Sequence, residues 1–287
     1  MYPLRVLPRS SQVPWRRYLW LLCLLLVQVC PRWALADETP LRVMTYNLHG
    51  AYVTAQTALA VLRPHRPDLL LLQEVRNVDY LAGLGRALGL SYWHFAPYTR
   101  ERGGVAILSR WPLGPAQTLP WPQSRQGKLA LAAQVAFSAR TVWATSVHMD
   151  NPLVGKTPPT FWQKLGLFWR EFFTTTPRMQ EAQALRDWLQ QLGAAETIIG
   201  GDFNSVPFAR ADRYLRQYFR DALAIDLAQY FRGTYWGPPH GPFLPRVDYV
   251  YYSPHWQVVE AQVIQHKASD HFPVLAVLIA APALKPL

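Results

Sequence analysis

Two short motifs in the second half of the chain combine carboxylate, amide and imidazole side chains that could do chemistry together. The sequence Ser269-Asp270-His271-Phe272-Pro273-Val274 places a carboxylate of the kind that binds metal beside an imidazole that can transfer protons. The sequence Gly200-Gly201-Asp202-Phe203-Asn204 adds a second carboxylate and an amide after an apolar stretch. Hydrolysis of a phosphoester at neutral pH needs such groups, because the phosphate charge must be neutralised and water must be activated.

Polar residues of the same kinds recur at the ends of other apolar stretches, where sheet-based enzymes commonly carry their chemistry. Each occurrence is weak by itself, because an Asp, Glu or His at a strand end is often structural or simply solvated. The ordered set is more specific than any of its members. In chain order it is Asn47, Glu74, His148, Asp202, Asn204, Asp248, Asp270 and His271.

This ordered set resembles that of the endonuclease/exonuclease/phosphatase superfamily, which includes apurinic endonucleases, deoxyribonucleases, neutral sphingomyelinases and inositol phosphatases. The resemblance covers residues 41–278. It implies a metal-dependent hydrolase of phosphoester bonds with a four-layer α/β/β/α sandwich fold. The strand and helix patterns, with hairpins in each half, themselves predict an α/β fold with two packed mixed β-sheets flanked by helices.

The resemblance implies a metal site built from three of these residues. Glu74 would be the principal ligand of a Mg²⁺ ion, with Mn²⁺ as a possible substitute. Asn47 and Asp270 would complete or support the coordination sphere. Oxygen donors of this kind suit a hard divalent cation.

The resemblance also implies roles for the remaining five residues. His271 would be the acid/base group, and Asp248 would fix its tautomer and support its charged form. Asp202 would orient or deprotonate the attacking water. Asn204 and His148 would donate hydrogen bonds to the phosphate oxygens, where negative charge grows in the transition state.

The first 36 residues have the pattern of a secretory signal. Arginines precede an apolar run from Tyr18 to Val29, and Ala34-Leu35-Ala36 matches an A-x-A cleavage site. The run is shorter than the roughly 20 apolar residues of a membrane span, so cleavage after Ala36 is expected and a retained anchor is the alternative. The pattern predicts an exported protein that is periplasmic or secreted and that can associate with a membrane. The remaining residues, 37–287, are expected to form one domain.

Cysteine usage and charge describe the expected mature chain. Both cysteines, Cys23 and Cys30, lie in the signal, so residues 37–287 can form no disulfide. Removing the signal's five arginines from the 29 Lys and Arg, against 18 Asp and Glu, leaves a net charge of +6. This mildly basic charge suits lipid headgroups and nucleic acid alike. We expect a monomer that binds a phosphodiester substrate.

An insertion of about residues 152–177 separates Asn151 from the next expected helix. Aromatic and apolar residues recur in it at three-to-four residue spacing, which predicts an amphipathic helix about 20 Å long. The helix could pack on the domain as a lid, or its aromatic side chains could enter a membrane interface. The side chains expected to meet a membrane are Phe161, Trp162, Phe168 and Trp169.

Three functions are compatible with these features. An exported Mg²⁺-dependent phosphodiesterase acting on a lipid or glycolipid is favoured, because the amphipathic insertion then has a purpose. An exported endonuclease or exonuclease acting on DNA or RNA fits the basic charge, although the sequence has no long basic stripe. A non-catalytic envelope-binding protein on the same fold ranks last, because every mapped catalytic position is filled. Exposure of Trp162 and Trp169 would favour lipid, and their burial would favour the nuclease.

Overall fold

The computed structural model describes residues 39–50, 52–121, 123–151, 161–237 and 244–281. They belong to one compact unit that begins at Thr39. The expected signal, the start of the insertion (residues 152–160) and residues 238–243 of the loop before Arg246 lie outside the described residues. Within the described ranges, every helix is too short or too polar to cross a membrane.

The first sheet contains six strands within the described residues. They are β1 (Leu41–Asn47), β2 (Leu69–Val75), β3 (Tyr92–Pro97), β4 (Gly104–Ser109), β11 (Trp256–Val263) and β12 (Val274–Ala280). Their order is β11-β12-β1-β2-β4-β3, and only the β1/β2 pair among these neighbours is parallel. In β2, Leu69 and Leu71 face the core between the sheets, and Leu70 and Leu72 face the outer helices. A run of four leucines is therefore buried on both faces.

The second sheet also contains six strands within the described residues. They are β5 (Gln117–Pro120), β6 (Leu129–Phe137), β7 (Arg140–His148), β8 (Thr197–Asp202), β9 (Arg220–Asp221) and β10 (Asp248–Tyr252). Their order is β5-β6-β7-β8-β10-β9, with β7 and β8 parallel. The inner faces of the two sheets share one apolar core, in which Leu71 and Val43 lie with Leu131 and Val250.

Helices cover the outer face of each sheet. They are α1 (Ala55–Leu62), α2 (Val78–Leu88), α3 (Phe161–Phe173), α4 (Pro177–Gln191), α5 (Arg210–Leu215) and α6 (Leu227–Tyr230). Residues of α1 and α2 pack on the first sheet, and residues of α4 and α5 pack on the second. The predicted α/β/β/α sandwich with two packed mixed sheets is confirmed.

The boundaries differ most around α5. The sequence predicts a helix from about Phe208 to Phe219, whereas α5 begins at Arg210 and ends at Leu215. The backbone N–H of Phe208 donates to the Asp212 carboxylate over 2.8 Å, and Phe208 has a positive φ of 65°. A turn therefore precedes the helix, because a β-carbon is disfavoured in that backbone conformation. The sequence analysis did not anticipate the short elements β5, β9 and α6.

Candidate active site

The chain topology brings the ends of several strands to one edge of the sandwich. Asn47 ends β1, and Glu74 lies one residue before the end of its parallel neighbour β2. His148 and Asp202 end the parallel strands β7 and β8 and lie opposite each other. Because β10 runs antiparallel to β8, its first residue, Asp248, also lies opposite Asp202. Carboxyl ends of parallel strands meet at one edge, so these side chains converge.

Asp202 lies at the centre of the resulting cluster. Its Oδ2 atom accepts a hydrogen bond from Nδ2 of Asn47 at 3.0 Å and lies 3.3 Å from Nε2 of His148 and 3.7 Å from Nε2 of His271. Burial alone would raise the pKa of Asp202, but the charges of His271 and Lys128 lower it below its ordinary value. Asp202 is therefore ionised at neutral pH and can accept a proton or orient a water molecule.

His271 and Asp248 form a buried ion pair beside Asp202. Nδ1 of His271 donates to Oδ2 of Asp248 over 2.8 Å. Burial opposes the charged form of His271, but Asp248 and Asp202 outweigh it and raise its pKa to about 10. Burial raises the pKa of Asp248 to about 6 despite the charge of His271. At neutral pH the pair is therefore imidazolium and carboxylate, and the second N–H of His271 can act as an acid.

Glu74, Asn47 and Asp270 supply the oxygen atoms expected of a cation site. Nδ2 of Asn47 lies 3.3 Å from Oε1 of Glu74, and Oγ of Ser269 donates to the backbone oxygen of Asn47 over 2.7 Å. The φ of Glu74 is +54°, a conformation rare outside glycine. Burial and the nearby Glu74 carboxylate raise the pKa of Asp270, although His271 and His49 oppose that shift. Two carboxylates that repel each other fit a divalent cation.

A second group of ligand-type atoms belongs to Asp202, Asp248 and His271, which lie within 4.8 Å of one another. A metal ion bound there would need a nitrogen lone pair from His271. That imidazole is protonated on both nitrogens at neutral pH, and Nδ1 already donates to Asp248. The cation site at Glu74, Asn47 and Asp270 stays a prediction, and the geometry of the second group also suits proton transfer.

Asn204 and His148 lie where the sequence analysis places the phosphate donors. The backbone N–H of Asn204 donates to Oδ1 of Asp202 over 2.9 Å, and its Nδ2 donates to the backbone oxygen of Met149 over 3.0 Å. An amide has two N–H donors, so one remains for a substrate oxygen. His148 is fully buried, and burial lowers its pKa, with the charge of Lys128 adding to the effect. All eight residues of the ordered set are thus close together.

Two residues absent from the sequence analysis contact this set. Nζ of Lys128 lies 2.6 Å from Nε2 of His148, and the hydroxyl of Tyr98 lies 2.6 Å from Nδ1 of the same ring. The Tyr98 hydroxyl also accepts from the backbone N–H of Glu74 over 3.0 Å. The sequence holds one indication of the Lys128–His148 contact. Lys128 directly precedes β6, and β6 pairs with β7, the strand that ends at His148.

Arg246, a basic residue two positions before Asp248, is held by a buried ion pair and is not available to contact a phosphate. Its guanidinium donates to the carboxylate of Asp221, with a closest distance of 2.6 Å, and both side chains are buried. The same group lies over the rings of Tyr230 and Tyr249. Arg246 therefore stabilises the loop before β10 rather than the substrate. Arg102, two residues before β4, is exposed.

The segment Tyr235-Trp236 forms a wall of the site. The ring of Tyr235 lies 4.9 Å from that of His271. The backbone N–H of Trp236 donates to the backbone oxygen of Asp270 over 2.8 Å, and its indole N–H donates to the backbone oxygen of Ser269 over 2.6 Å. Aromatic side chains are thereby fixed beside the acid/base pair, where a bound substrate could meet them.

Solved structures with the same fold come from bacteria and vertebrates. An endonuclease/exonuclease/phosphatase from Beutenbergia cavernae has 21% identity and a TM-score of 0.65, covering 85% of this chain and 72% of its own. The mannosyl-6-phosphatase Bt3783 of Bacteroides thetaiotaomicron has 16% identity and a TM-score of 0.63, covering 83% and 99%. TDP2 of D. rerio, complexed with single-strand DNA product, has 17% identity and a TM-score of 0.61, covering 84% and 99%. At these identities the likeness shows the fold.

The family follows from the sequence itself. No curated protein sequence matches this chain significantly. The sequence profile of the Endonuclease/Exonuclease/phosphatase family matches residues 44–271, a range that begins in β1 and ends at His271. The chain therefore belongs to the endonuclease/exonuclease/phosphatase family, whose members are metal-dependent hydrolases of phosphoester bonds.

Proposed function

We propose that this protein is an exported, Mg²⁺-dependent phosphodiesterase whose substrate is carried by a lipid or glycolipid. The family and the clustered side chains support phosphoester hydrolysis. The lipid substrate rests on one observation, the exposure of large aromatic side chains on α3. Export rests on the sequence of residues 1–36 and is tested by N-terminal sequencing of the exported protein, which should begin at Asp37.

The charge states of Asp202 and His271 at neutral pH support separate roles for the two residues in the reaction. Asp202 is ionised and accepts a proton from the attacking water. His271 is protonated, and its Nε2–H donates to the oxygen on which negative charge develops. Asp248 keeps that imidazolium in place. A cation bound by Glu74, Asn47 and Asp270 would neutralise phosphate charge as a Lewis acid.

The aromatic face of α3 supports a lipid-borne substrate. Trp162 is 75% exposed, Trp169 is 61% exposed and Phe173 is 59% exposed. The rings of Trp169 and Phe173 lie 4.2 Å apart, so they form one apolar surface. Soluble proteins rarely leave such groups in water without a use, and Trp and Phe beside basic side chains are typical of interfacial helices. Arg170 on the same helix is exposed and suits an anionic surface.

A second exposed apolar group lies beyond α5, which contacts α3. Phe208 is 48% exposed and Phe231 is 65% exposed, with ring centroids 6.3 Å apart. Between them and α3, the guanidinium of Arg213 donates to the Phe172 backbone oxygen over 3.0 Å. Exposed aromatic side chains together with basic side chains are typical of surfaces that bind a membrane interface.

A nuclease is the second candidate function, supported by the wall of the site. Tyr235 beside His271 offers a ring on which a base can stack. The expected net charge of +6 also suits nucleic acid. This candidate leaves the exposed tryptophans of α3 without a function, and we rank it second for that reason.

Parallel hydrolysis assays test both candidates. The purified protein is incubated with phospholipid vesicles, with plasmid DNA and with the soluble diester bis(4-nitrophenyl) phosphate, each with Mg²⁺ or EDTA, using His271→Ala as the blank. Lipid cleavage that requires Mg²⁺ is expected. DNA cleavage without lipid cleavage would make the protein a nuclease.

Variants of α3 separate membrane binding from catalysis. Trp162→Ala combined with Trp169→Ala should reduce vesicle binding and vesicle hydrolysis at least tenfold and leave hydrolysis of the soluble diester within about twofold. Tyr92→Ala is the matched control, because Tyr92 is an exposed aromatic residue on β3. Equal losses on vesicles and on the soluble diester would show that α3 supports the site as a lid.

A further inference from the structure

A buried lysine contacts the histidine expected to bind the phosphate. Lys128 is only 3% exposed, and its Nζ lies 2.6 Å from Nε2 of His148. A lysine ammonium has three N–H donors and no acceptor. At this distance Nε2 of His148 must therefore accept a hydrogen bond from Lys128, so the proton of the neutral ring lies on Nδ1.

The other side of the His148 ring fits the same tautomer. Nδ1 lies 2.6 Å from the hydroxyl oxygen of Tyr98, which can accept the Nδ1–H. Nε2 also lies 3.3 Å from Oδ2 of Asp202, where the opposite tautomer would donate. The contact with Lys128 is shorter by 0.7 Å, and a hydrogen on Nε2 would collide with the ammonium. The neutral form is supported by burial, which lowers the pKa of His148.

This tautomer removes His148 as a donor to the substrate. Its Nδ1–H is directed to Tyr98, and its Nε2 lone pair is directed to Lys128. The Lys128 ammonium keeps two further N–H donors. It contacts His148, and His148 in turn contacts Asp202. Lys128 can thus supply both the hydrogen bond and the positive charge that a non-bridging phosphate oxygen needs.

We propose that Lys128 contacts the non-bridging oxygen of the scissile phosphate and that His148 is a positioning residue that holds it. The inference rests on phosphoester hydrolysis and is independent of whether the substrate is lipid or nucleic acid. No proton is transferred in this role. The ammonium keeps its protons and balances the charge that grows on the oxygen.

The tautomer is tested on the wild-type protein without any substrate. Nitrogen NMR of ¹⁵N-histidine-labelled protein, assigned by loss of the signal in His148→Gln, should show a protonated Nδ1 and an unprotonated Nε2. A protonated Nε2 would overturn the proposal, because that nitrogen would then be free to donate. The measurement stands even if the protein turns over none of the substrates tested.

Kinetics test the contact with the phosphate. With bis(4-nitrophenyl) phosphate and Mg²⁺, Lys128→Met should lower kcat by about 10²–10³-fold, the usual cost of one lost transition-state donor. His148→Gln retains an acceptor for the ammonium and should lose only about tenfold. A larger loss in His148→Gln than in Lys128→Met would show that His148 is the donor and that Lys128 supports it.

A third measurement covers the case in which Lys128→Met does not fold. The chain contains five lysines, so ¹⁵N-lysine signals can be assigned with Lys128→Arg. Adding inorganic phosphate with Mg²⁺ should shift the Lys128 signal more than that of Lys267, which lies over Trp236. An unchanged Lys128 signal at saturating phosphate would contradict the contact.

Discussion

Glu181 on α4 should make the stability of the domain fall as pH rises. Its Oε2 accepts from the backbone N–H of Asp150 over 3.1 Å, and its Oε1 has no hydrogen-bond partner among the described residues. Burial raises the pKa of Glu181 from 4.5 to about 8, although the Asp150 N–H and the charges of Arg178 and Lys128 oppose the shift. The folded state therefore holds a proton that the unfolded chain releases near pH 4.5.

The magnitude follows from the two pKa values. The raised pKa in the folded state contributes stability that is complete below pH 4.5 and is lost as pH rises through about 8. Each pH unit between these values costs about 1.4 kcal/mol. The loss between pH 4.5 and pH 7 is then about 3 kcal/mol. Glu181→Gln removes the titrating group and keeps the shape of the side chain.

Urea unfolding monitored by tryptophan fluorescence at pH 5, 7 and 8.5 measures this effect. The free energy of unfolding of Glu181→Gln should be close to that of the wild type at pH 5 and should exceed it by about 4 kcal/mol at pH 8.5, because the wild type continues to lose stability up to about pH 8. Glu101→Gln is the control, because this exposed carboxylate should change stability by less than about 1 kcal/mol at every pH. A Glu181→Gln effect of the same size at all three pH values would refute the assignment of a buried, protonated carboxyl group.

Three further predictions concern the site and the strand beneath it. Asp248→Asn should lower kcat about 10³–10⁴-fold with intact folding, because His271 loses its orienting charge, and steady-state kinetics with circular dichroism checks this. Glu74→Gln should weaken Mg²⁺ binding at least tenfold in a calorimetric titration, whereas unchanged affinity would remove Glu74 from the cation site. Gly201→Ala would place a β-carbon 2.0 Å from the backbone oxygen of Val147, so its melting temperature should fall by several degrees.

The sequence predicts the components of the site because each lies at a strand end. Parallel pairing of β1 with β2 and of β7 with β8 puts Asn47, Glu74, His148 and Asp202 at one edge. The resemblance identified these residues as one set, and the strand pairing seen in the structure is what brings them together. The strand β6 was predicted with the bounds Leu129–Phe137 that the structure has, because a long apolar run fixes both ends.

Lys128 could not be predicted in the same way. A single lysine before a strand is ordinarily solvated, and its burial follows from the contact with His148 across the β6/β7 pair. Arg246 shows the same limit, because its position beside a catalytic strand gives no sign of its buried pairing with Asp221. Local sequence specifies which charges are present. Only the tertiary structure specifies which of them have buried partners.

Helix α3 combines buried polar contacts at its C-terminal end with exposed tryptophans. Glu171, near the C-terminal end of α3, is buried and accepts from Arg178 of α4 and from Thr176. Arg178 in turn lies 3.5 Å from the backbone oxygen of Asp150, two residues beyond His148. The helix is thus anchored to the core at that end, whereas Trp162 and Trp169 are exposed. If the exposed tryptophans bind a membrane, as proposed, their loss should change which substrates are reached, whereas loss of the side chains at the strand ends should abolish hydrolysis of every substrate.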